Sequence, residues 1–364
     1  MQQPTSYMAN YLTLAVAGSR KTQGIVEHCA SLPHDQRALV VTYTQTNQSE
    51  LRDRLSVYAG DHPGIQVMGW FTFLLRDFAR PFLPFKFPGQ RVKGFNFEGR
   101  PYRMAKGERR FLDSKGAVYS CELGRLAHEL VEASEGALIH RLECIYDEIL
   151  IDEVQDLSGH DWEVIDVLLR SSIHVRMVGD IRQSVLSTNA RSAKNKRYAY
   201  AEAITWFRER EAGSILDIIE NAVTWRCHPD IAAFSDTIFD SSWSFPLTES
   251  RNDTVTGHDG VFLVSPEHVN EYVAQFKPQC LRHSVSSGKA FNLDYLNFGL
   301  AKGMAFQRVL IVPTAGIIEF IQSNKHLEPK PAASFYVAVT RAAQSVAIVI
   351  QESGNPELPF WKPE

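Results

Sequence analysis

Seven short runs of branched and aliphatic residues constrain this chain more than anything else in it: Leu12–Val16, Ala38–Thr42, Glu148–Asp152, Val175–Val178, Val261–Val264, Arg308–Val312 and Val346–Ile350. A half-exposed strand alternates polar and apolar residues, whereas these runs are apolar almost throughout. They are therefore expected to be buried on both faces, as parallel strands are. Segments with helical spacing, such as Asp161–Leu169 and Ile215–Ala222, fall between several of them. Strand–helix alternation predicts an α/β architecture of parallel sheets flanked by helices, with functional side chains at the C-terminal ends of the strands. The pattern occurs twice, before about residue 205 and again from about residue 213. The expected organisation is a first lobe over 1–72 and 146–205, a small insertion over 73–145, and a second lobe over 206–364.

A length of 364 residues suits two such lobes. The apolar fraction of 44% and charged fraction of 22% are those of an ordinary globular protein. Net charge is −4, so any nucleic-acid surface must come from local clustering. Cys29, Cys121, Cys144, Cys227 and Cys280 are far apart with no C-x-x-C pair, which argues against a zinc site or disulfide framework and fits a cytoplasmic location. No membrane contact is expected, because no apolar run approaches the ~20 residues of a span. The histidines are scattered and none is assigned to a metal.

Three of the runs end in residues with a chemistry. Gly18-Ser19-Arg20-Lys21-Thr22 follows the first and opens a helical segment. A loop of this kind cradles anions on backbone N–H groups, with the lysine neutralising β/γ oxygens and the threonine hydroxyl ligating Mg²⁺. Asp152-Glu153-Val154-Gln155-Asp156 puts two adjacent carboxylates after the third run. In a P-loop nucleotidase the first carboxylate holds the metal, so Thr22 and Asp152 are the metal candidates, and the second orients or deprotonates the attacking water. Gly179-Asp180-Ile181-Arg182-Gln183 follows the fourth run. Paired acids also occur in plain turns, and a lysine also opens plain helices. The order of the three together predicts two RecA-like P-loop lobes that use ATP and Mg²⁺.

Through these motifs the chain resembles the UvrD/Rep-like superfamily-one DNA helicases. Val41-Thr42-Tyr43-Thr44 resembles the family's segment Ia, and Gly179-Asp180 with Gln183-Ser184 its motif III, whose glutamine senses the γ-phosphate. Thr224-Trp225-Arg226-Cys227-His228-Pro229 resembles motif IV, Lys302-Gly303-Met304-Ala305-Phe306 motif V, and Tyr336-Val337-Ala338-Val339-Thr340-Arg341-Ala342 motif VI. The resemblance implies Asp152, Glu153, Gln183, Arg226 and Arg341 as catalytic residues, the two arginines acting as fingers from the second lobe. It implies Gly18, Ser19, Arg20, Lys21, Thr22, Trp225 and Gly303 as nucleotide contacts, with Trp225 where the family has a base-stacking tyrosine. Implied nucleic-acid contacts are Thr42, Thr44, Trp70 and Phe71. The basic-aromatic insertion adds Arg100, Tyr102, Arg103, Arg109 and Arg110, and a second basic knot is Arg191, Lys194, Lys196 and Arg197.

The chain departs from the family pattern at Arg20, where a glycine is usual, at Gly299 and Ala305 in motif V, and at Val185-Leu186-Ser187 after motif III. An adenine-reading glutamine before the loop is not evident beyond Gln2 and Gln3. Only about 70 residues separate motifs IV and V, a reduced form without the family's large accessory domain. The resemblance implies an ATP hydrolase working as a translocase or helicase on single-stranded or tailed DNA, with 3′→5′ polarity; backbone tracking leaves RNA open. The alternative is a nucleotide-sensing regulatory subunit of a nuclease or of a repair or defence assembly, with little unwinding of its own.

Overall fold

The computed structural model describes residues 10–60, 62–189, 192–351 and 358–363. Gln2, Gln3 and Arg191 lie outside them. The chain begins with β1 (Tyr11–Ala15), α1 (Lys21–Ala30), β2 (Ala38–Thr42), α2 (Gln45–Tyr58) and β3 (Ile65–Gly69). The insertion carries α3 (Trp70–Phe73), a π-helical turn over Leu74–Ala79, α4 (Arg80–Lys86), β4 (Gly94–Asn96), β5 (Ala117–Tyr119), α5 (Ser120–Ala133) and α6 (Ala137–Ile145). The first lobe resumes with β6 (Glu148–Asp152), α7 (Asp161–Leu169), β7 (His174–Gly179), α8 (Ala203–Ala212) and β8 (Asp217–Asn221). After β9 (Val223–Thr224), α9 (Pro229–Asp236) and β10 (Glu249–Ser250) come β11 (Gly260–Val264), α10 (Val269–Phe276), β12 (Gln279–Arg282) and β13 (Tyr295–Asn297). The second lobe finishes with β14 (Phe306–Val312), α11 (Ala315–Ser323), α12 (Pro329–Val339), β15 (Ala342–Val349) and β16 (Phe360–Trp361).

Two six-stranded sheets result, in the orders β3-β2-β6-β7-β1-β8 and β13-β12-β14-β15-β11-β16. Every pairing in both is parallel. The apolar runs occupy the central strands: β2 and β6 are buried at every position. Each fully buried Val, Leu or Ile there contributes roughly 1.5–3 kcal/mol, so the central strands fix the register and bring the ends of β1, β6 and β7 into one row. These are the two RecA-like α/β lobes expected from the alternation.

Two expectations about the segment near residue 210 need correction. Ile215–Ala222 is not helical: Asp217–Asn221 is the edge strand β8, paired with β1 from Tyr11↔Asp217 to Ala15↔Asn221. Its apolar residues fit either period, and the competition is decided by the open edge of β1. The first sheet therefore extends past residue 205, and Trp206, Phe207 and Leu216 join the first lobe's core rather than the second's.

Candidate active site

The phosphate-loop segment leaves β1 and turns into α1 through two left-handed residues, Gly18 (φ 77°) and Arg20 (φ 59°). Gly18 is required twice over: a Cβ there would lie 2.6 Å from the Arg226 Cβ and 2.7 Å from the Thr224 Oγ1. Arg20 holds its conformation against a cost of ~1–2 kcal/mol relative to glycine, and its guanidinium lies 4.1 Å from the ring centroid of Trp225. Trp225 is therefore not a core residue; it is 48% exposed. Lys21 and Thr22 are the first two residues of α1. Lys21 Nζ lies 2.9 Å from Glu153 Oε1, and Thr22 Oγ1 donates to Asp152 Oδ2 at 3.4 Å.

Both acids leave the end of β6, and Glu153 itself is left-handed at φ 55°. That turn separates their directions, one towards Thr22 and the other towards Lys21. The electrostatics follow. Burial pushes the Asp152 carboxyl up, and the neighbouring Glu153 charge adds to the effect. Burial also opposes ionisation of Glu153, but Lys21 and Lys302 outweigh it and hold that carboxyl well below its usual range. Burial works against the charge on Lys21, and Glu153 with Asp152 keeps it above its ordinary value all the same.

The second lobe reaches this cluster through three cations. Lys302 Nζ lies 2.5 Å from Asp156 Oδ1 and 3.8 Å from Glu153 Oε2. Arg341, 1% exposed, donates from Nη2 to Gln183 Oε1 at 2.9 Å, and Gln183 Nε2 donates to Asp180 Oδ2 at 2.7 Å. Burial and the nearby Arg226 lower the Arg341 pKa to about 10. Arg226 Nη1 donates to the Thr340 carbonyl at 3.1 Å while its Cβ rests against the loop glycine. Tyr336 closes the circuit, its hydroxyl donating to Asp180 Oδ2 at 3.2 Å and accepting from the Ala17 N–H at 3.4 Å. The structure thus brings Gly18, Ser19, Arg20, Lys21, Thr22, Asp152, Glu153, Gln183, Trp225, Arg226 and Arg341 around one cleft, with Gly303 exposed on the motif V turn beside Lys302.

Sequence reasoning missed Lys302, Asp156 and Tyr336 as members of the cleft. All three lie inside the quoted motifs, so the signal was present; what it did not carry was which side chain faces the other lobe. Two buried polar atoms in the segments that carry the lysine and the paired acids, Ser19 Oγ and Gln155 Oε1, have no hydrogen-bond partner among the described residues. Together with Thr22 and the buried carboxylate of Asp152, this is a donor set that fits a divalent cation carried on a triphosphate.

The candidate nucleic-acid residues divide. Thr42 and Trp70 are each 1% exposed, so neither offers a face to a base or phosphate. Thr42 ends the fully buried strand β2 and Trp70 opens α3 inside the first lobe's core, and motif position alone does not reveal that. The Thr44 side chain caps α2, accepting from the Asn47 N–H at 3.1 Å. Arg110 is held by Glu122 through bonds of 2.8 and 3.1 Å and is half-buried, so it belongs to the insertion's own structure. Arg100, Tyr102, Arg103 and Arg109 are exposed, and Phe71 is half-buried. Phe71 makes an edge contact with Phe97 (5.8 Å between centroids), and Phe97 is 62% exposed. Phe97 extends the aromatic surface and was not singled out in the sequence.

Residues 102–202 match the family model of the UvrD/REP helicase N-terminal domain. A 131-residue stretch, 36% of this chain, is 24% identical to an ATP-dependent helicase/nuclease subunit of Carboxydothermus hydrogenoformans, and the match spans only 10% of that relative's length. Among solved structures, an arterivirus nonstructural protein 10 (helicase) aligns over 94% of this chain and 60% of its own, with a TM-score of 0.48 and 16% identity. A complex of that viral helicase with DNA aligns at a TM-score of 0.47 and 15% identity, covering 94% of this chain and 61% of the other.

Proposed function

On the premise that this chain is related to the UvrD/Rep-like superfamily-one helicases through its first lobe, we propose that it is an ATP-dependent translocase or helicase acting on single-stranded or tailed DNA. ATP is hydrolysed between the two lobes. The observation that carries this reading is the meeting of Arg341 from one lobe with Gln183 from the other, beside the Lys21–Glu153 pair.

In this reading the backbone N–H groups of Gly18–Lys21 receive the phosphates, and Lys21 turns from Glu153 to the β/γ oxygens. Bound at Thr22 and Asp152, Mg²⁺ supplies charge neutralisation at the transferring phosphoryl group. Glu153, kept ionised by its cationic neighbours, orients and deprotonates the water. Gln183 senses the γ-phosphate, while Arg226 and Arg341 stabilise the charge that develops on it. Arginine fingers are worth ~10³–10⁵ in rate in other nucleotidases, so an open cleft is a slow enzyme and closure gates turnover. DNA drawn across Phe71, Phe97, Tyr102 and the exposed arginines of the insertion is held by stacking and by phosphate contacts. The polarity implied by the family is 3′→5′.

A nucleotide-sensing role within a nuclease, repair or defence assembly is the second reading. It is favoured by the short stretch between β10 and β14, which supplies only β11–β13 and α10. One experiment separates the two: ATPase rate with and without single-stranded DNA, for the wild type and Glu153→Gln. Strong stimulation by DNA, lost by ~10²-fold or more in the variant, supports the motor; slow turnover indifferent to DNA supports the sensor.

A further inference from the structure

We infer that the insertion carries a phosphomonoester site, a basic pocket that takes the terminal phosphate of a nucleotide, either free or at the end of a strand. The ligand class rests on the nucleic-acid reading above, but none of the pocket's lining residues belongs to the ATP cleft. The pocket is a cavity of ≈ 470 Å³ with five cations in its lining: Lys86 at the end of α4, Arg103, Lys106, Arg110, and Arg125 on α5. Glu129 is the one carboxylate among the described lining residues, and Glu122 stands behind Arg110. Glu108, on the short turn that carries Arg110, is exposed and does not line the cavity. Lys86 and Arg125 share Glu129, at 3.1 and 2.8 Å. Arg110 is held by Glu122 through Nε and Nη2, and its Nη1 makes no hydrogen bond among the described residues. Arg103 and Lys106 have neither an ion pair nor a side-chain hydrogen bond there. Five cations against these two carboxylates leave three positive charges uncompensated, in a chain whose net charge is −4.

Like charges gathered around one cavity repel, and a bound anion removes that repulsion. A phosphomonoester carries about −1.5 to −2 charges near neutral pH and offers its three terminal oxygens as acceptors. A backbone diester carries a single charge. The monoester therefore cancels more of the surplus, and its oxygens meet donors arriving from α4, from α5 and from the Lys106–Arg110 turn. Three of the five cations are arginines, whose forks bind phosphate oxygens two at a time. Phe87 and Phe111, with ring centroids 6.0 Å apart, supply an apolar wall. Lys86 lies 5.7 Å over the Phe87 ring and Arg125 5.8 Å over the Phe111 ring. A cationic rim on an aromatic wall fits a phosphate with a sugar and base behind it. The pocket also adjoins the proposed strand path. Tyr102, 76% exposed, opens a turn in which its carbonyl accepts from the Ala105 N–H at 2.8 Å, and Arg103 and Ala105 of that turn line the cavity. A strand stacked on Tyr102 is thus placed to set its end into the pocket.

The test is fluorescence anisotropy on the full chain with single-stranded oligonucleotides of one sequence that carry a 5′-phosphate, a 3′-phosphate or neither, together with calorimetry of AMP. Wild type should hold a phosphorylated strand about tenfold more tightly than the unphosphorylated one, as charge-assisted hydrogen bonds to a terminal phosphate imply. That preference assigns the pocket to a strand end; AMP binding without it assigns the pocket to a free nucleotide. Combining Lys106→Gln with Arg125→Gln should bring the end preference, or the AMP affinity, down by about tenfold and leave the unphosphorylated strand within about twofold. Lys106 is exposed, and Glu129 keeps Lys86 when Arg125 is gone, so the fold is retained. Lys106→Gln alone should give a smaller loss in the same direction. An equal loss for phosphorylated and unphosphorylated strands overturns the site, because it describes a groove for passing backbone. A wild type with neither an end preference nor AMP binding overturns it, and so does AMP binding that the variants leave unmoved. If the unphosphorylated strand does not bind at all, the single-strand reading falls while AMP still decides the pocket.

Discussion

Lys302 shows how much a single side chain does in this cleft. It pairs with Asp156 and lies near Glu153 Oε2, and it supports the ionised state of the base candidate together with Lys21 at Oε1. Removing it in Lys302→Ala takes the ion-pair partner from buried Asp156 and leaves Glu153 with Lys21 alone. ATP turnover is expected to fall by roughly 10²-fold, comparable to the loss of one preorganised electrostatic donor, with circular dichroism unchanged. Undiminished turnover would make Lys302 a structural tie only. Arg110 gives the contrasting case. Truncating it to alanine strands Glu122, whose carboxyl burial already pushes up, and should destabilise the chain by about 1–3 kcal/mol. Arg109→Ala, at an exposed position, should leave the melting temperature within error. At this scale the sequence was readable where residues that come together lie in short motifs, as for Lys21 beside Glu153, Thr22 beside Asp152 and Arg341 beside Gln183. It was unreadable where burial decides. Nothing in Thr42 or Trp70 announces that each is buried.

Among the elements, the central strands were legible because they are apolar on both faces, and that pattern has one solution. β8 was not, since Ile215, Leu216, Ile218 and Ile219 satisfy a helical period as well as an extended one. Only the unfilled hydrogen bonds along β1 choose between them. The β11–α10 pair carries a pH prediction of its own. His258 lies stacked between Phe262 and Phe276, with ring centroids 4.2 and 3.8 Å away, and bonds the Tyr272 hydroxyl at 2.9 Å. Burial, helped by Arg308, lowers its pKa to about 4. A base whose folded pKa is depressed is neutral in both states above the unfolded value of about 6.5, where its stability contribution is complete. As pH falls from there towards 4, the unfolded chain takes up a proton that the folded one refuses. Stability should drop by on the order of 2–3 kcal/mol across that window. Chemical denaturation at pH 7 and pH 4.5 measures it, and His258→Phe should remove most of the slope attributable to this ring; an identical slope in the variant would assign it elsewhere.

For the molecule as a whole, the twofold repetition of the sheet pattern was visible in the chain, and the seam between the halves was not. The seam lies after β8, and α8 with its Trp206 and Phe207 belongs to the first core. The insertion is the other feature of whole-molecule consequence. Reversing Arg103 and Arg109 together should weaken single-stranded DNA binding and flatten the dependence of log affinity on log salt by about one unit per lost phosphate contact. Fluorescence anisotropy between 50 and about 200 mM salt tests this, and an unaltered slope would put the strand elsewhere.

The joint between the halves also has a mechanical side. Thr224 Oγ1 donates to the Ala17 carbonyl at 2.7 Å, and the Trp225 N–H to the Gly18 carbonyl at 3.0 Å. The strip that connects the lobes is thus riveted to the backbone of the phosphate loop, with almost no slack after Asn221. A tug on the far half, whether from a strand under tension or from a stiffening proline at Ala222, is transmitted to those two carbonyls before it reaches any side chain. Force applied to one half should therefore loosen the grip on nucleotide in the other.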